Sequence, residues 1–456
     1  MKMNLFAPSD MTEGTIWKKI VAFTLPMLIG NIAQQLYNTV DSIVVGRYVG
    51  DNALAAVGSA SPILNLMIVL FMGISVGAGI MVSQYFGAKD RESLSGTIGC
   101  CITLTVIASL FLMVISPLVI RPLLQFLHTP DSIIDWCTSY LLILMEGIAG
   151  MAYYNILGGI LRGLGDSVSA LVYLLVATFL NIVLDILFVA SFDMGVAGVA
   201  LATAIAQTIS ALLCLLKLMR MKEIFDMKLR YLKINRNHAW TIIRLGLPSG
   251  LTQAIFSMAM IVVQSLTNSF GEMFIAANVI IMRVDGFAMM PNFSFGTAMT
   301  TYAGQNVGAK KYDRVTQGAK EGTFIAVAVS TVITVLILIF GKYLMGIFTE
   351  TEELVDLSMR MMRILAVGYI AMAVTQSLSG VMRGAGDTMT PMWISLLTTV
   401  GVRVPLAYGI SWLTRSSELP NGRSECVFIS LLTSWMIGAL VTFICYRRGK
   451  WKEKAI

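Results

Sequence analysis

The stretch LRGLGDSVSA at 161–170 returns, with few changes of character, as MRGAGDTMTP at 382–391. At nearly the same spacing SQYFGAKDRESL (83–94) pairs with GQNVGAKKYDRV (304–315), and FTLPML (23–28) with LGLPSG (245–250). A constant offset across three motifs means that whole halves are duplicated. Composition says what kind of halves they are. The chain has 456 residues, 56% of them hydrophobic and 13% charged, with a mean hydropathy of +0.77. Soluble domains carry about 25% charged residues, so the solvent here is mostly lipid. Apolar stretches approaching or exceeding the roughly 20 residues needed to span a bilayer recur at 16–46, 53–83, 95–120, 133–157, 168–190, 195–219, 239–269, 274–304, 319–343, 354–379, 389–413 and 426–446. Six spans per half is an even number, so the second half re-enters in the orientation of the first. The expectation is an all-α membrane protein: twelve transmembrane helices in two six-helix bundles related by a pseudo-two-fold along the membrane normal. The lobes are expected at 1–219 and 238–456, joined by a basic linker at 220–237.

Lysine and arginine orient the spans. Lys18, Lys19, Lys89, Arg91, Arg162, the run from Lys217 to Arg244, Lys310 to Lys320, Arg383 and Arg447 to Lys454 fall on one side. Arg47, Arg121, Lys342, Arg415 and Arg423 fall on the other, mixed with acids such as Asp51, Asp131, Glu350 and Glu352. The expected location is therefore the plasma membrane, with both termini cytoplasmic. The net charge of +7 is a topology signal, and interrupted basic patches argue against nucleic acid as a partner. The six cysteines lie almost all in apolar runs without metal spacing, and read as small core residues. His128 and His238 fall near span ends and form no cluster. No short apolar core with a cleavage site precedes the first span, which is expected to act as its own insertion signal.

The duplication separates scaffold from function. Asp166 and Asp387 both precede Ser or Thr at the start of a span and read as helix N-caps. Pro26 and Pro248 match as helix bends, and Gly163, Gly165, Gly384 and Gly386 as turn residues. FLNIVLDILF (179–188) behaves differently: the counterparts of Asn181 and Asp185 are Val402 and Leu406, and that of Asp41 is Val262 or Val263. An ionisable group at the bilayer centre costs roughly 2.5–3.5 kcal/mol on insertion scales. Acids needed to hold one bundle together should recur in the other, so these point to function. Asn181 and Asp185 share a helix face, as do Tyr37 and Asp41. At about 1.5 Å per residue, Asp185 lies ~28 Å and Asp41 ~37 Å from the cytoplasmic starts of their spans, and Thr203 ~12 Å below the outer surface. All fall in the outer half of one lobe. Two carboxylates in low dielectric can share a proton, or bind a hard cation such as Na⁺ through oxygens, with Asn181 and Thr203 completing the shell.

The duplicated halves, the first helix with Pro26 and Asp41, the Asn181/Asp185 pair and the GAK loops together resemble the multidrug and toxic compound extrusion family over essentially the whole chain. The resemblance implies a cation-coupled antiporter exporting small amphipathic or cationic drug-like compounds. Asp41, Asn181, Asp185 and Thr203 would form its first-lobe cation site, with Asp41 changing protonation as the helix bends at Pro26. Some members carry further carboxylates in spans seven and ten, where this chain has Gln253, Gln264 and Gln376. That places it nearest the DNA-damage-inducible/archaeal-like branch. The coupling ion would be H⁺ or Na⁺, with no cofactor, no enzymatic activity, the lipid bilayer as surroundings and a monomer as the unit.

Other intramembrane groups enter as candidates for substrate contact or gating: Glu146, which could join the first-lobe group or satisfy a helix–helix contact; Arg283 and Asp285, on different faces of span eight; and Arg403, whose structural alternative is a pair with Asp285. Met289, Met290 and Phe293, in the methionine-dense FAMMPNFSF (287–295), suit a wall that adapts to varied apolar ligands, although core packing is the commoner explanation of any one methionine. Two rival readings exist. GLGD and GAGD match an intramembrane aspartyl protease pattern, but both copies lie in cytoplasmic turns beside Arg162 and Arg383. A lipid-linked oligosaccharide flippase of the same superfamily needs a cationic cavity, for which only Arg283 and Arg403 are available.

Overall fold

The computed structural model describes residues 8–126 and 129–456, leaving aside the side chains of Ser42, Asp51, Leu54, Ser61, Pro62, Leu66 and Leu70. His128 lies outside the described residues. Among those described there are helices and connecting turns and no strand. The first half contains α1 (Ile16–Tyr48), α2 (Asp51–Ala88), α3 (Arg91–Phe126), α4 (Asp131–Glu146), α5 (Ile148–Gly163), α6 (Ser167–Asp185) and α7 (Gly195–Arg220). The second contains α8 (Arg236–Asn268), α9 (Glu272–Gly308), α10 (Tyr312–Gly346), α11 (Glu352–Ala366), α12 (Gly368–Gly384), α13 (Met389–Leu396), α14 (Val404–Leu413) and α15 (Cys426–Arg448). Ten continuous helical stretches among the described residues are long and apolar enough to cross a bilayer; two bent pairs bring the number to twelve.

The bent pairs depart from the unbroken spans expected at 133–157 and 354–379. The α4–α5 pair breaks by 53° and the α11–α12 pair by 42°, and each break carries a glycine at equivalent positions, Gly147 and Gly368. A Cβ on Gly147 would stand 2.5 Å from the Cβ of Ala204, and one on Gly368 would stand 2.5 Å from the Trp435 ring. Close backbone approach demands glycine there, and the duplication of the break marks it as scaffold. Two further spans are interrupted by π-helical turns, Ile186–Ser191 after α6 and Leu397–Arg403 between α13 and α14.

The duplicated caps behave as expected. Asp166 accepts from the Ser169 backbone N–H at 2.9 Å and the Ser169 hydroxyl at 2.7 Å. Asp387 does the same for Thr390, at 3.1 and 2.7 Å. Each satisfies a helix-start donor that would otherwise be orphaned inside the protein. Gly165 and Gly386 take positive φ, +85° and +97°, which L-residues with a Cβ avoid.

Packing divides the chain into two compact units inside α1 and α8, close to Pro26 and Pro248. One unit comprises Leu25–Gly250 and the described residues before Met11; the other comprises Met11–Thr24 and Leu251–Ile456. In the second unit the Met11 N–H donates to Gln305 Oε1 at 2.8 Å, Lys311 Nζ to the Thr12 carbonyl at 3.0 Å and Arg314 to the Gly14 carbonyl at 2.7 Å. In the first unit the opening turns of α8 lie directly on α2: a Cβ on Gly77 would collide with the Ile242 carbonyl, and one on Gly246 with that of Gly73. Small residues permit this approach in lipid, where packing drives helix association.

The linker 220–237 belongs to the first unit and is held on α3. Arg91 donates to the carbonyls of Lys222 (2.5 Å) and Glu223 (2.7 Å) and pairs with Asp226 at 2.9 Å. The hydrogen bond from Arg91 holds the Asp226 carboxyl below the ordinary carboxylate range. All six cysteines are free.

Candidate functional site

Three helices of the first lobe bring their polar residues together. Helix α6 carries Asn181 and Asp185 on one inward face, and both side chains are fully buried. Helix α7 passes close by because its facing stretch is built from small residues, with Ala200 and Ala202 fully buried beside Thr203. Helix α1 contributes Tyr37 and Asp41, one turn apart. Asp185 is the last residue of α6 before the π turn; such turns frequently mark functional sites, because they break the i→i−4 ladder and redirect the following face.

Asn181 is the hub. One end of its amide lies 3.3 Å from Thr203 Oγ1. The other end stands 2.7 Å from Asp41 Oδ1 and 3.1 Å from Asp185 Oδ2. With the NH₂ turned toward the acids, the amide donates to both carboxylates and its oxygen accepts from Thr203, the orientation that satisfies every partner. Tyr37 donates to Thr203 Oγ1 at 3.1 Å. The two carboxyls thus meet at one amide, and Asp185 Oδ1 is buried without a hydrogen-bond partner. A buried oxygen left unmatched is costly and therefore informative. Among the described residues no three His, Cys, Asp or Glu side chains converge, so the cluster offers mixed oxygens suited to a proton or an alkali cation, not a soft-metal shell.

The structure thus brings together Asp41, Asn181, Asp185, Thr203 and Tyr37. It adds Tyr140 of α4, buried and within electrostatic range of both acids. Its signal was depth: nine residues into α4, about 13 Å from that helix's start, Tyr140 lies as deep as Thr203.

Glu146 does not join the group. It is exposed at the end of α4, six residues after Tyr140 on the same helix and so about 120° round its axis from it. In the second lobe Arg283 is exposed and Asp285 is half-buried, as their different faces required. Arg403, 4% exposed, ends the second π turn. Its guanidinium points at the Met260 sulfur, at 3.5 and 3.6 Å. It lies within electrostatic range of Asp285 but forms no direct ion pair among the described residues. Arg403 Nε and Asp285 Oδ1 are both buried and unpartnered. Of the proposed methionine wall, Met289 and Met290 are buried in the lobe and only Phe293 is exposed, at 51%. The two methionines are core because Asn292, fully buried, ties their helix inward: it donates to the Tyr369 carbonyl at 3.2 Å and accepts from Ser330 at 2.8 Å.

Comparison with known proteins agrees with this architecture. The family model described as MatE matches residues 26–187 and again 248–409, repeating the internal offset. A probable multidrug resistance protein of Bacillus subtilis (strain 168), YoeA, is 30% identical over 98% of this chain and 96% of the relative. A second from the same organism, YpnP, is 29% identical over 97% of each. Among solved structures, a multidrug resistance MATE family transporter of the MOP superfamily in an outward-facing conformation superposes with a TM-score of 0.90 at 25% identity, covering 98% of this chain and 99% of that one. With both halves matched by one family model and a relative aligned along nearly its whole length, the chain belongs to the MatE family, the multidrug and toxic compound extrusion transporters.

Proposed function

We propose that this chain is a secondary active multidrug exporter in the plasma membrane. It expels small amphipathic or cationic compounds by alternating access, in exchange for H⁺ or Na⁺ entering through the first-lobe cluster. It works as a monomer with both termini cytoplasmic. One observation carries the reading: Asp41 and Asp185 meet through Asn181 in a buried group whose counterparts in the duplicated half are apolar. A pair of acids so placed stays ionised only with a cation beside it, so binding and release of a cation changes the charge state of the lobe.

The Asn181 amide bears on which ion is coupled. With NH₂ toward the acids, the cluster is a closed hydrogen-bond network suited to carboxyls that trade protons. Turned over, the amide presents its oxygen beside Asp41 Oδ1 and Asp185 Oδ2, and three oxygens converge as a hard cation requires. Both ions are compatible with the same atoms.

The test is ethidium efflux from proteoliposomes under an imposed Na⁺ or pH gradient. Asp41→Asn and Asp185→Asn are expected to insert and fold but to lose gradient-driven export. Undiminished efflux from either variant removes that residue from the mechanism, and the gradient that drives the parent identifies the ion. The flippase alternative is less well supported, because a pyrophosphate-binding cavity needs several presented cations, and of the two candidates Arg403 is turned onto Met260 and only Arg283 is exposed.

A further inference from the structure

The second lobe contains a cavity of about 560 Å³ away from the residues discussed above. It lies at the end of the lobe that carries the basic loops. Its wall is one face of α10, on which Thr316, Lys320, Thr323, Phe324 and Val327 recur at helical spacing, closed by the last turns of α15 and by Trp451. Trp451 is buried and stacks on Tyr446 at 5.5 Å, their planes within 10°.

The internal repeat supplies a control. The first-lobe counterparts of Thr316 and Phe324 are Ser95 and Thr103 on α3. There the same helix face is covered by the linker: the Asp226 N–H donates to Ser95 Oγ at 2.8 Å, Thr103 donates to the Leu232 carbonyl at 2.5 Å, and Gly99 lets the Tyr231 backbone lie against α3. Among the described residues, no segment of that kind covers the face in the second lobe. Lys320 stands where the first lobe has Gly99. Lys320, Arg447 and Lys452 ring the cavity, and among the described residues none of them forms an ion pair. The nearby carboxylate Glu321 is engaged instead by Gln317 at 2.9 Å and the Trp17 N–H at 3.1 Å. Inside, the Thr323 hydroxyl is buried and without a partner. Toward the lipid, the wall becomes apolar and exposed, with Phe324 at 74% and Phe443 at 49%.

We infer that this cavity is a binding site for one anionic phospholipid of the leaflet on that side. The headgroup phosphate sits among Lys320, Arg447 and Lys452, and the acyl chains run along Phe324, Val327 and Phe443. Three unpaired cations above an apolar wall match a phosphate carried on a hydrocarbon chain and match no neutral lipid. The volume is within the usual range for ligand pockets. The basic-residue distribution assigns this end to the cytoplasm, where anionic lipids concentrate.

Native mass spectrometry of the full-length protein in detergent, titrated with phosphatidylglycerol, phosphatidylcholine or inorganic phosphate, tests this. The parent is expected to retain one phosphatidylglycerol selectively, undisplaced by millimolar phosphate. Lys320→Gln/Arg447→Gln should weaken that adduct about thirtyfold, as expected for two cations near a lipid surface. Thr323→Trp, which extends from the wall into the cavity and leaves every charge in place, should abolish it. Arg230→Gln/Lys233→Gln, the same charge change in the linker, should leave it intact. Equal retention of phosphatidylglycerol and phosphatidylcholine by the parent would overturn the proposal. So would adducts unaffected by both cavity variants, or displacement by free phosphate.

Discussion

The two lobes share a plan and differ in what they bury. Both break a span at a glycine, Gly147 or Gly368, both start a helix on an aspartate cap, and both interrupt another span with a π turn. Yet the first lobe's π turn follows Asp185, which meets Asp41 through Asn181, whereas the second lobe's ends at Arg403, facing a methionine sulfur. Duplicated architecture with unduplicated charge separates what a six-helix bundle needs to exist from what this protein adds to it. The grooves at the basic end repeat the lesson, one filled by the linker and the other open.

The contrast can be broken most sharply at the acids. Asp185→Asn should reduce gradient-driven ethidium efflux to the level of empty liposomes while leaving the thermal midpoint near that of the parent. A large stability loss instead would make the acid structural and erase the contrast between lobes. Next come the breaks. Gly147→Ala and Gly368→Ala each force a methyl into a neighbour at 2.5 Å, and overpacking of this kind costs about 1–3 kcal/mol. Thermal unfolding monitored by tryptophan fluorescence should show comparable losses for both, since the feature is duplicated.

The caps are smaller and should also match. Asp166→Ala and Asp387→Ala are each expected to cost about 1 kcal/mol. Asp166 should cost slightly more, because its carboxylate also faces Lys217 at 3.7 Å. The smallest effect sits on the linker. Arg91→Ala should change stability least of all, as for exposed ion pairs, and should flatten a shallow acid-side pH dependence. The Asp226 carboxyl is depressed by its bond to Arg91. Its stabilisation is therefore present above the ordinary carboxylate pKa and fades as pH falls through the lowered value. Unfolding midpoints from about pH 5 down to about pH 2, spanning the ordinary carboxylate pKa and the lowered value below it, would show the difference.

Much of this was readable in advance because it is written locally. Span number follows from hydropathy, capping from Asp166 and Asp387, and the depth of Tyr37, Asp41, Asn181, Asp185 and Thr203 from counting residues along helices. Glu146 stands at a suitable depth but on another face of α4 than Tyr140, and counting along a helix gives depth without saying which face turns inward. Met289 and Met290 take the core-packing alternative, which composition could not separate from a ligand wall because it does not say which face of α9 turns inward. Tyr140 went unnoticed because a lone phenol in an apolar span looks like packing until its neighbours are known.

By itself, then, the order of residues determined a duplicated twelve-span protein, its basic end and a leading half that alone carries acids at matching depths. Hydrophobic period and residue rise are properties of one helix at a time, and they need no neighbour. Only the tertiary structure decided that Asn181 stands between the two carboxyls, that Arg403 turns to sulfur and not directly to Asp285, and that one groove is filled while its twin is open. The rotation of each helix about its axis is set by side-chain packing against other helices, and a chain read one residue after another does not contain it.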